Sequence, residues 1–243
     1  MKIIKRIVLG LVIVSVLSVL GFLVWAETPL GPTPEAYSAL ESDSQVTVTI
    51  DNFITFQPSN LQPTTGFIFY PGGRVDYRSY AVPLRAIAEQ GYLVVLVPVR
   101  LNLAFFDINA AEPIFAQHPE IQSWAIGGHS LGGVASALFA KDHPEIDGLI
   151  FWASYPADDS LKNSNLKMLS IYGTNDMAGM AKFDETKPLL TSDAEYVVIE
   201  GGNHAQFGDY GPQPGDNEAT ISRVEQQAQI VQATSEFLKE LGK

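Results

Sequence analysis

The sequence of 243 residues contains no cysteine. This absence excludes disulfides, thiolate metal sites and a cysteine nucleophile. Basic residues are also few, since 15 Lys and Arg stand against 27 Asp and Glu and give a net charge of −12. Because nucleic acids recruit clustered Lys and Arg, and no basic stripe occurs, the sequence argues against a nucleic-acid partner. The apolar fraction of 46% is sufficient for a large buried core.

The 20 residues from Ile7 to Ala26 include no charged residue. A helix of this length spans about 30 Å, the thickness of a bilayer core. Three basic residues precede the stretch and Glu27 follows it. The positive-inside rule therefore predicts a single-pass membrane anchor with the N-terminus inside and the remaining chain extracytoplasmic. The alternative is a signal peptide cleaved after Ala26, which would give a secreted product.

Two further segments follow the expected anchor of residues 1–26. Residues 27–45 include a Pro-rich stretch that predicts an extended spacer. Residues 46–243 alternate apolar β-branched runs with helical patterns and predict one domain. Because three of the 15 basic residues lie before Glu27, the chain after the anchor carries a net charge of −15. Such a charge disfavours anionic polymers as substrates.

The alternation within residues 46–243 predicts an α/β fold with a mostly parallel central sheet, helices on both faces and an antiparallel beginning. The predicted strands are 46–50, 53–56, 66–70, 92–97, 124–127, 148–152, 168–172 and 196–200. The predicted helices are 83–90, 108–117, 131–142 and a last one that begins after a capping box at Ser222. Only 15 residues separate the strands 148–152 and 168–172, which leaves no room there for a lid domain.

The pentapeptide Gly128-His129-Ser130-Leu131-Gly132 lies between a predicted strand and a predicted helix. This G-x-S-x-G pattern is typical of a tight turn that exposes a serine nucleophile, with glycines that let the strand and helix approach. The N–H of Leu131 would lie at the helix N-terminus, where it can donate to an oxyanion. A phosphate loop would need Lys after the second Gly, and a dinucleotide loop would need a further Gly in place of His129.

One histidine can be chosen as general base by elimination. His118 and His143 each precede proline at a helix end, where a structural role is expected. His129 adjoins Ser130, and its side chain should point away and pack beside the turn. His204 follows the last predicted strand in a polar loop and is therefore the candidate base.

The candidate acid is Asp176, which directly follows the strand 168–172. An aspartate at this position could orient the imidazole and stabilise its charged form. The Gly-Thr-Asn-Asp sequence is also ordinary turn chemistry. Asp158 or Asp159, after the strand 148–152, is the alternative acid.

Further site residues are expected in two loops. Gly73, or else Arg74, follows the strand 66–70 and is the candidate second oxyanion donor, although Pro-Gly is also a common turn. Arg74, Phe105 and Tyr155 are candidate pocket residues. Ordinary packing is an equally good interpretation of the apolar ones. No metal site is visible at ligand spacing, and no cofactor is expected.

Taken together, these motifs resemble the α/β-hydrolase superfamily. The segments 70–73, 152–157 and 202–208 are similar to the bacterial "α/β-hydrolase fold-5" group, which is related to dienelactone hydrolases. The resemblance covers roughly Val46 to the C-terminus. It implies a Ser130, Asp176 and His204 triad, with Leu131 and Gly73 as the oxyanion hole. One departure is Pro71, which stands where many lipases have histidine.

The expected function is hydrolysis of a small acyl substrate, an ester or thioester, by a membrane-anchored serine hydrolase. A non-catalytic binding protein on the same scaffold is the alternative. It is disfavoured because it would need none of the three triad residues. A C–C hydrolase is also compatible with the residues, whereas a dehalogenase would need a carboxylate at Ser130.

Overall fold

A single eight-stranded sheet organises the chain, in a computed structural model that describes residues 2–242. The spatial order is β1-β2-β4-β3-β5-β6-β7-β8. Only the β1–β2 and β2–β4 pairs are antiparallel, and the other five pairs are parallel. The strands are β1 Val46–Ile50, β2 Ile54–Pro58, β3 Thr65–Tyr70, β4 Leu93–Leu96, β5 Ser123–His129, β6 Ile146–Trp152, β7 Lys167–Gly173 and β8 Glu195–Ile199. The predicted sheet with its antiparallel beginning is confirmed.

Seven α-helices accompany the sheet in the described residues. They are α1 Lys2–Ala26, α2 Pro34–Ser38, α3 Ala81–Glu89, α4 Glu112–Gln117, α5 Leu131–Asp142, α6 Met180–Thr186 and α7 Arg223–Leu241. The helix predicted over 108–117 is split, since a 3₁₀ turn at Ile108–Ala111 precedes α4. Pro113 lies in the first turn of α4, where a residue without an N–H is tolerated. The sequence did not predict α2 or α6.

The hydrophobic core lies on both faces of the sheet, and successive residues of β3 pack into it on opposite faces. Phe67 and Phe69 pack into one hydrophobic cluster, together with side chains of α3 and α7. Ile68 and Tyr70 pack into a second cluster with side chains of α4 and α5. Successive residues of a strand point to opposite faces, so a strand covered on both sides must be apolar at every position. This explains why the central strands are continuous apolar runs in the sequence.

The N-terminal region consists of a long exposed helix and a segment that packs on the domain. Residues Ile4–Ala26 of α1 are long and apolar enough to cross a membrane, with a mean hydropathy of 3.0. This property fits both an anchor and a signal sequence. The expected spacer lies against the domain, since Leu30 forms a β-bridge with Val75 and Ala36 is buried. The division into anchor, spacer and domain stays a prediction.

The capping box predicted at the start of α7 is present. The Ser222 hydroxyl accepts a hydrogen bond from the Glu225 N–H at 3.2 Å, and the Glu225 carboxylate accepts one from the Ser222 N–H at 2.9 Å. Two of the N–H groups that a helix N-terminus leaves unpaired are thus satisfied.

We expect Ser222→Ala to lower the free energy of unfolding by about 1 kcal/mol, because the cap of α7 is lost. Urea unfolding of the purified protein, followed by circular dichroism, measures this change. Ser44→Ala, at an exposed serine that caps no helix, is the control and should leave the midpoint in place. An unchanged midpoint for Ser222→Ala would show that the cap contributes nothing.

Candidate active site

Ser130 occupies the sharp turn between β5 and α5, with φ of 51° and ψ of −119°. This left-handed backbone is strained for a residue with a side chain. Glycines make the turn possible, because a Cβ on Gly128 would collide with the backbone of Gly132. A Cβ on Gly132 would in turn collide with the carbonyl oxygens of Tyr70 and Pro71. The turn therefore presses the start of α5 against the end of β3 and leaves Ser130 partly exposed at the sheet edge.

The backbone of Ser130 is held by several hydrogen bonds. Its N–H donates to the Trp152 carbonyl at 2.9 Å, and its carbonyl accepts from the Ser154 hydroxyl at 2.6 Å and from the Gly133 N–H at 3.1 Å. Ser154 is buried after the end of β6. Sequence reasoning missed it, since a single serine in a loop carries no signal of this contact.

His204 and Asp176 are joined by a hydrogen bond of 2.8 Å between Nδ1 and Oδ2. Asp176 follows β7 and His204 follows β8, and both side chains are buried. Because the carboxylate can only accept, Nδ1 carries the proton and Nε2 is left as an acceptor. The alternative acids Asp158 and Asp159 are exposed in the loop after β6. Asp176 is thus the candidate acid that the fold brings to His204.

Asp216 connects the loops that carry this pair. Its Oδ2 accepts a hydrogen bond from the Ala205 N–H at 2.8 Å. Its Oδ1 accepts hydrogen bonds from the N–H groups of His204, at 3.3 Å, and Met177, at 3.1 Å. Sequence reasoning missed Asp216 because it follows no strand, and only the folded loops show its position.

The side chain of Gln226, on α7, holds the backbone of the loop that carries His204. This side chain is fully buried and accepts from the Asn203 N–H at 3.0 Å while donating to the Asn203 carbonyl at 2.7 Å. A buried glutamine paired in this way satisfies its polar groups and holds the loop backbone. His204, the candidate base, is therefore positioned by α7 as well as by β8.

Ser130, His204 and Tyr155 line one cavity of about 370 Å³, together with Leu131, Val134, Ala153, Ser154, Met177, Ala178 and Gln213. Within residues 2–242, no hydrogen bond joins the Ser130 hydroxyl to His204. Such bonds are often long in enzymes without substrate and shorten in the substrate complex. The same residues include no group of three or more His, Asp or Glu able to hold a metal ion.

Arg74 and Phe105, the other two candidate pocket residues, lie outside this cavity. The guanidinium of Arg74 donates to the carbonyls of Trp25 and Thr28 at the end of α1, each at 2.8 Å. Phe105 lines a separate groove with Phe106. The direction of both side chains depends on how the loops meet α1, which sequence patterns do not reveal.

Two backbone N–H groups beside Ser130 have no acceptor among residues 2–242. They belong to Leu131 and Gly73. On either side of Gly73, the Gly72 N–H donates to the Tyr80 hydroxyl at 3.0 Å and the Arg74 N–H donates to the Asn102 carbonyl at 2.8 Å. Gly73 also packs against the Leu131 side chain. Of the two candidate donors in this loop, Gly73 is the one whose N–H is free.

His129 lies between this loop and the candidate base His204. Its Nδ1 is hydrogen-bonded at 2.8 Å to the Tyr80 hydroxyl, which also accepts from the Gly72 N–H. The His129 ring lies 4.4 Å from the His204 ring, measured between centroids. Burial, and next the neighbouring His204, hold the pKa of His129 well below 6.5. His129 therefore stays neutral, and its ring packs beside the turn as predicted.

The remaining two histidines have structural surroundings. His118 lies 3.3 Å from Glu120. His143 donates from Nδ1 to the carbonyl of Phe139, at 2.7 Å, in the last turn of α5. Both lie at helix ends, away from the cavity of Ser130.

The sequence model of the alpha/beta hydrolase family matches residues 66–228, which is more than half of the chain. The chain therefore belongs to the α/β hydrolase family. No curated protein matches it. Among solved structures, it is similar to the crystal structure of the esterase domain from a Rhodothermus marinus protein, with a TM-score of 0.60 and 14% identity over 80% of this chain and 97% of that chain. At this identity the likeness shows a shared fold, whereas the family match supports a hydrolase.

We expect the free energy of unfolding to fall as the pH drops below about 6.5, because the unfolded chain then binds a proton that buried His129 does not take up. Above this pH the contribution of His129 is constant. His129→Asn, whose side-chain amide can either donate to or accept from the Tyr80 hydroxyl, should reduce the slope below pH 6.5 by up to roughly 1.4 kcal/mol per pH unit. Urea unfolding from pH 8 to pH 5 measures both slopes. Equal slopes for wild type and His129→Asn below pH 6.5 would show that His129 takes up a proton in the folded protein as it does in the unfolded chain.

Proposed function

We propose that this chain is a serine hydrolase that cleaves esters or thioesters through a Ser130, His204 and Asp176 triad. The main support for the proposal is the 2.8 Å hydrogen bond between His204 and Asp176. His204 lines the same cavity as Ser130. The two free N–H groups of Leu131 and Gly73 support it further, since an acyl-transfer site needs donors for the oxyanion.

The arrangement suggests a two-stage mechanism. Nε2 of His204 takes the hydroxyl proton as Ser130 Oγ attacks the acyl carbonyl carbon. The carbonyl oxygen becomes negative and accepts hydrogen bonds from the N–H groups of Leu131 and Gly73. The tetrahedral intermediate then collapses. Its bond to the leaving alcohol or thiol breaks, and His204 returns the proton to that group.

Water completes the cycle by the same chemistry. Nε2 of His204 takes a proton from a water molecule, whose oxygen attacks the acyl-Ser130 ester. Collapse of the second intermediate releases the carboxylic acid, and the Ser130 oxygen recovers its proton from His204. Asp176 holds the Nδ1–H throughout and stabilises the imidazolium that forms in both stages.

The proposed enzyme is anchored by α1 and faces outward. The exposed apolar span, Ile4–Ala26, and the three basic residues before it support this arrangement. The net charge of −15 beyond the span favours a neutral acyl substrate over an anionic polymer. Ester and thioester substrates are preferred to amides on the analogy of the fold.

We expect a fluorophosphonate probe to label the folded protein at Ser130, because the triad makes this hydroxyl nucleophilic. Intact-mass and peptide mass spectrometry locate the adduct. Ser130→Ala should abolish labelling, whereas Ser160→Ala, at an exposed serine, should retain it.

Turnover gives a second readout of the same proposal. His204→Ala should lower kcat for p-nitrophenyl acetate by at least about 10³-fold, as for other catalytic triads. A folded wild type that is neither labelled nor faster than His204→Ala would contradict the proposal. It would favour a binding protein on the same scaffold.

A further inference from the structure

Helix α5, which begins directly after Ser130, carries a line of half-buried apolar side chains along one face. Between Leu131 and Ala140, the side chains that are not buried are Leu131, Val134 and Leu138, all of them apolar. Their spacing of three and four residues places them on one face of the helix. The line extends about 10 Å along α5, at a rise of about 1.5 Å per residue.

This line connects two cavities. Leu131 and Val134 line the cavity of Ser130. Leu138 lines a second groove of about 600 Å³, in which Phe105, Phe106 and Ile108 are the other apolar residues and Asp107, Asn109, Lys141 and Asp142 are polar or charged. The apolar side chains of the two linings extend from the candidate nucleophile to Phe105 and Phe106, which are exposed at 45% and 54%.

The far end of these apolar linings contacts α1. The ring of Phe106 lies 6.0 Å from the ring of Phe22, measured between centroids. The Asn102 side-chain amide donates to the Ala26 carbonyl at 3.0 Å. Trp25 is also held, because the guanidinium of Arg74 lies 4.4 Å from its ring centroid. The loop that carries the exposed phenylalanines is thus fixed to the last turn of α1.

These contacts set the depth of the loop relative to a bilayer. With Ala26 at the outer end of the span, Phe22 lies one helical turn, about 6 Å, inside it. The Phe106 ring centroid lies 6.0 Å from that of Phe22, so Phe106 lies within about one helical turn of this depth. Trp25 stands at the level of the headgroups, where tryptophan is favoured. The exposed faces of Phe105 and Phe106 are then buried in lipid, which removes their contact with water.

We propose that the line Leu131, Val134 and Leu138 holds the acyl chain of a membrane-resident ester and leads it from the bilayer to Ser130. This inference rests on the proposed function. The proposed occupant is an acyl chain, because the three side chains of the line are apolar. One end of the line is in the cavity of Ser130, and the other end lies beside phenylalanines that are fixed to the end of α1. With its chain on this line, the substrate presents its carbonyl to the Leu131 N–H at the start of α5.

The test compares two esters with the full-length protein in phosphatidylcholine vesicles. One is p-nitrophenyl decanoate, which partitions into the vesicles, and the other is p-nitrophenyl acetate, which is too short to occupy the line. Leu138→Gln places a polar amide on the line, and Leu138→Trp obstructs it while remaining apolar. For each we expect the ratio of kcat/KM for decanoate to that for acetate to fall at least about tenfold.

Val224→Gln is the matched control, an apolar-to-amide change at an exposed position on α7, and it should keep the ratio of wild type. Acetate turnover in each preparation reports that the variant is folded. An unchanged ratio in both Leu138 variants, with turnover that still requires Ser130, would overturn this inference and leave the proposed function in place. If neither ester is turned over in a Ser130-dependent manner, the proposed function fails and this inference with it.

Discussion

The close backbone contact between the start of α5 and the end of β3 is the constraint on which the candidate site depends. Gly132 lies against the carbonyls of Tyr70 and Pro71, where any side chain would collide. This contact forces Ser130 into a left-handed backbone, which costs of order 1–3 kcal/mol. The hydrogen bonds to the Ser130 backbone offset part of that cost. The same contact brings the loop of Gly73 beside Leu131, so Ser130 and both free N–H groups are positioned by one packing contact.

The rest of the site is held by buried and half-buried polar groups that fix loops. Asp216 connects the loops of Asp176 and His204, and Gln226 fixes the latter to α7. His129, kept neutral by burial, is hydrogen-bonded to Tyr80 and places no positive charge beside His204. Donors and acceptors that are fixed before substrate binds need no reorganisation during the reaction, which is the main electrostatic advantage of an enzyme over water.

The sequence predicted the sheet well because strands buried on both faces are continuous apolar runs, whatever their partners. Ser130, Asp176 and His204 could be singled out because each follows a strand in a parallel sheet, where such ends share one edge. Asp216 could not be found, since its role arises only when distant loops meet. The direction of Arg74 could not be predicted either, because it depends on how the segment after α1 packs on the domain. Long-range contacts of this kind leave no periodic pattern in a sequence.

In the proposed mechanism, Asp176 orients His204 as the base for Ser130. Asp176→Asn tests it most directly, because the amide keeps the shape of the side chain while no longer favouring the Nδ1–H tautomer and the charged imidazolium. We predict that kcat/KM for p-nitrophenyl acetate falls by about 10³-fold to 10⁴-fold, with the thermal unfolding midpoint little changed. A variant that retains activity within a factor of two of wild type would contradict the account.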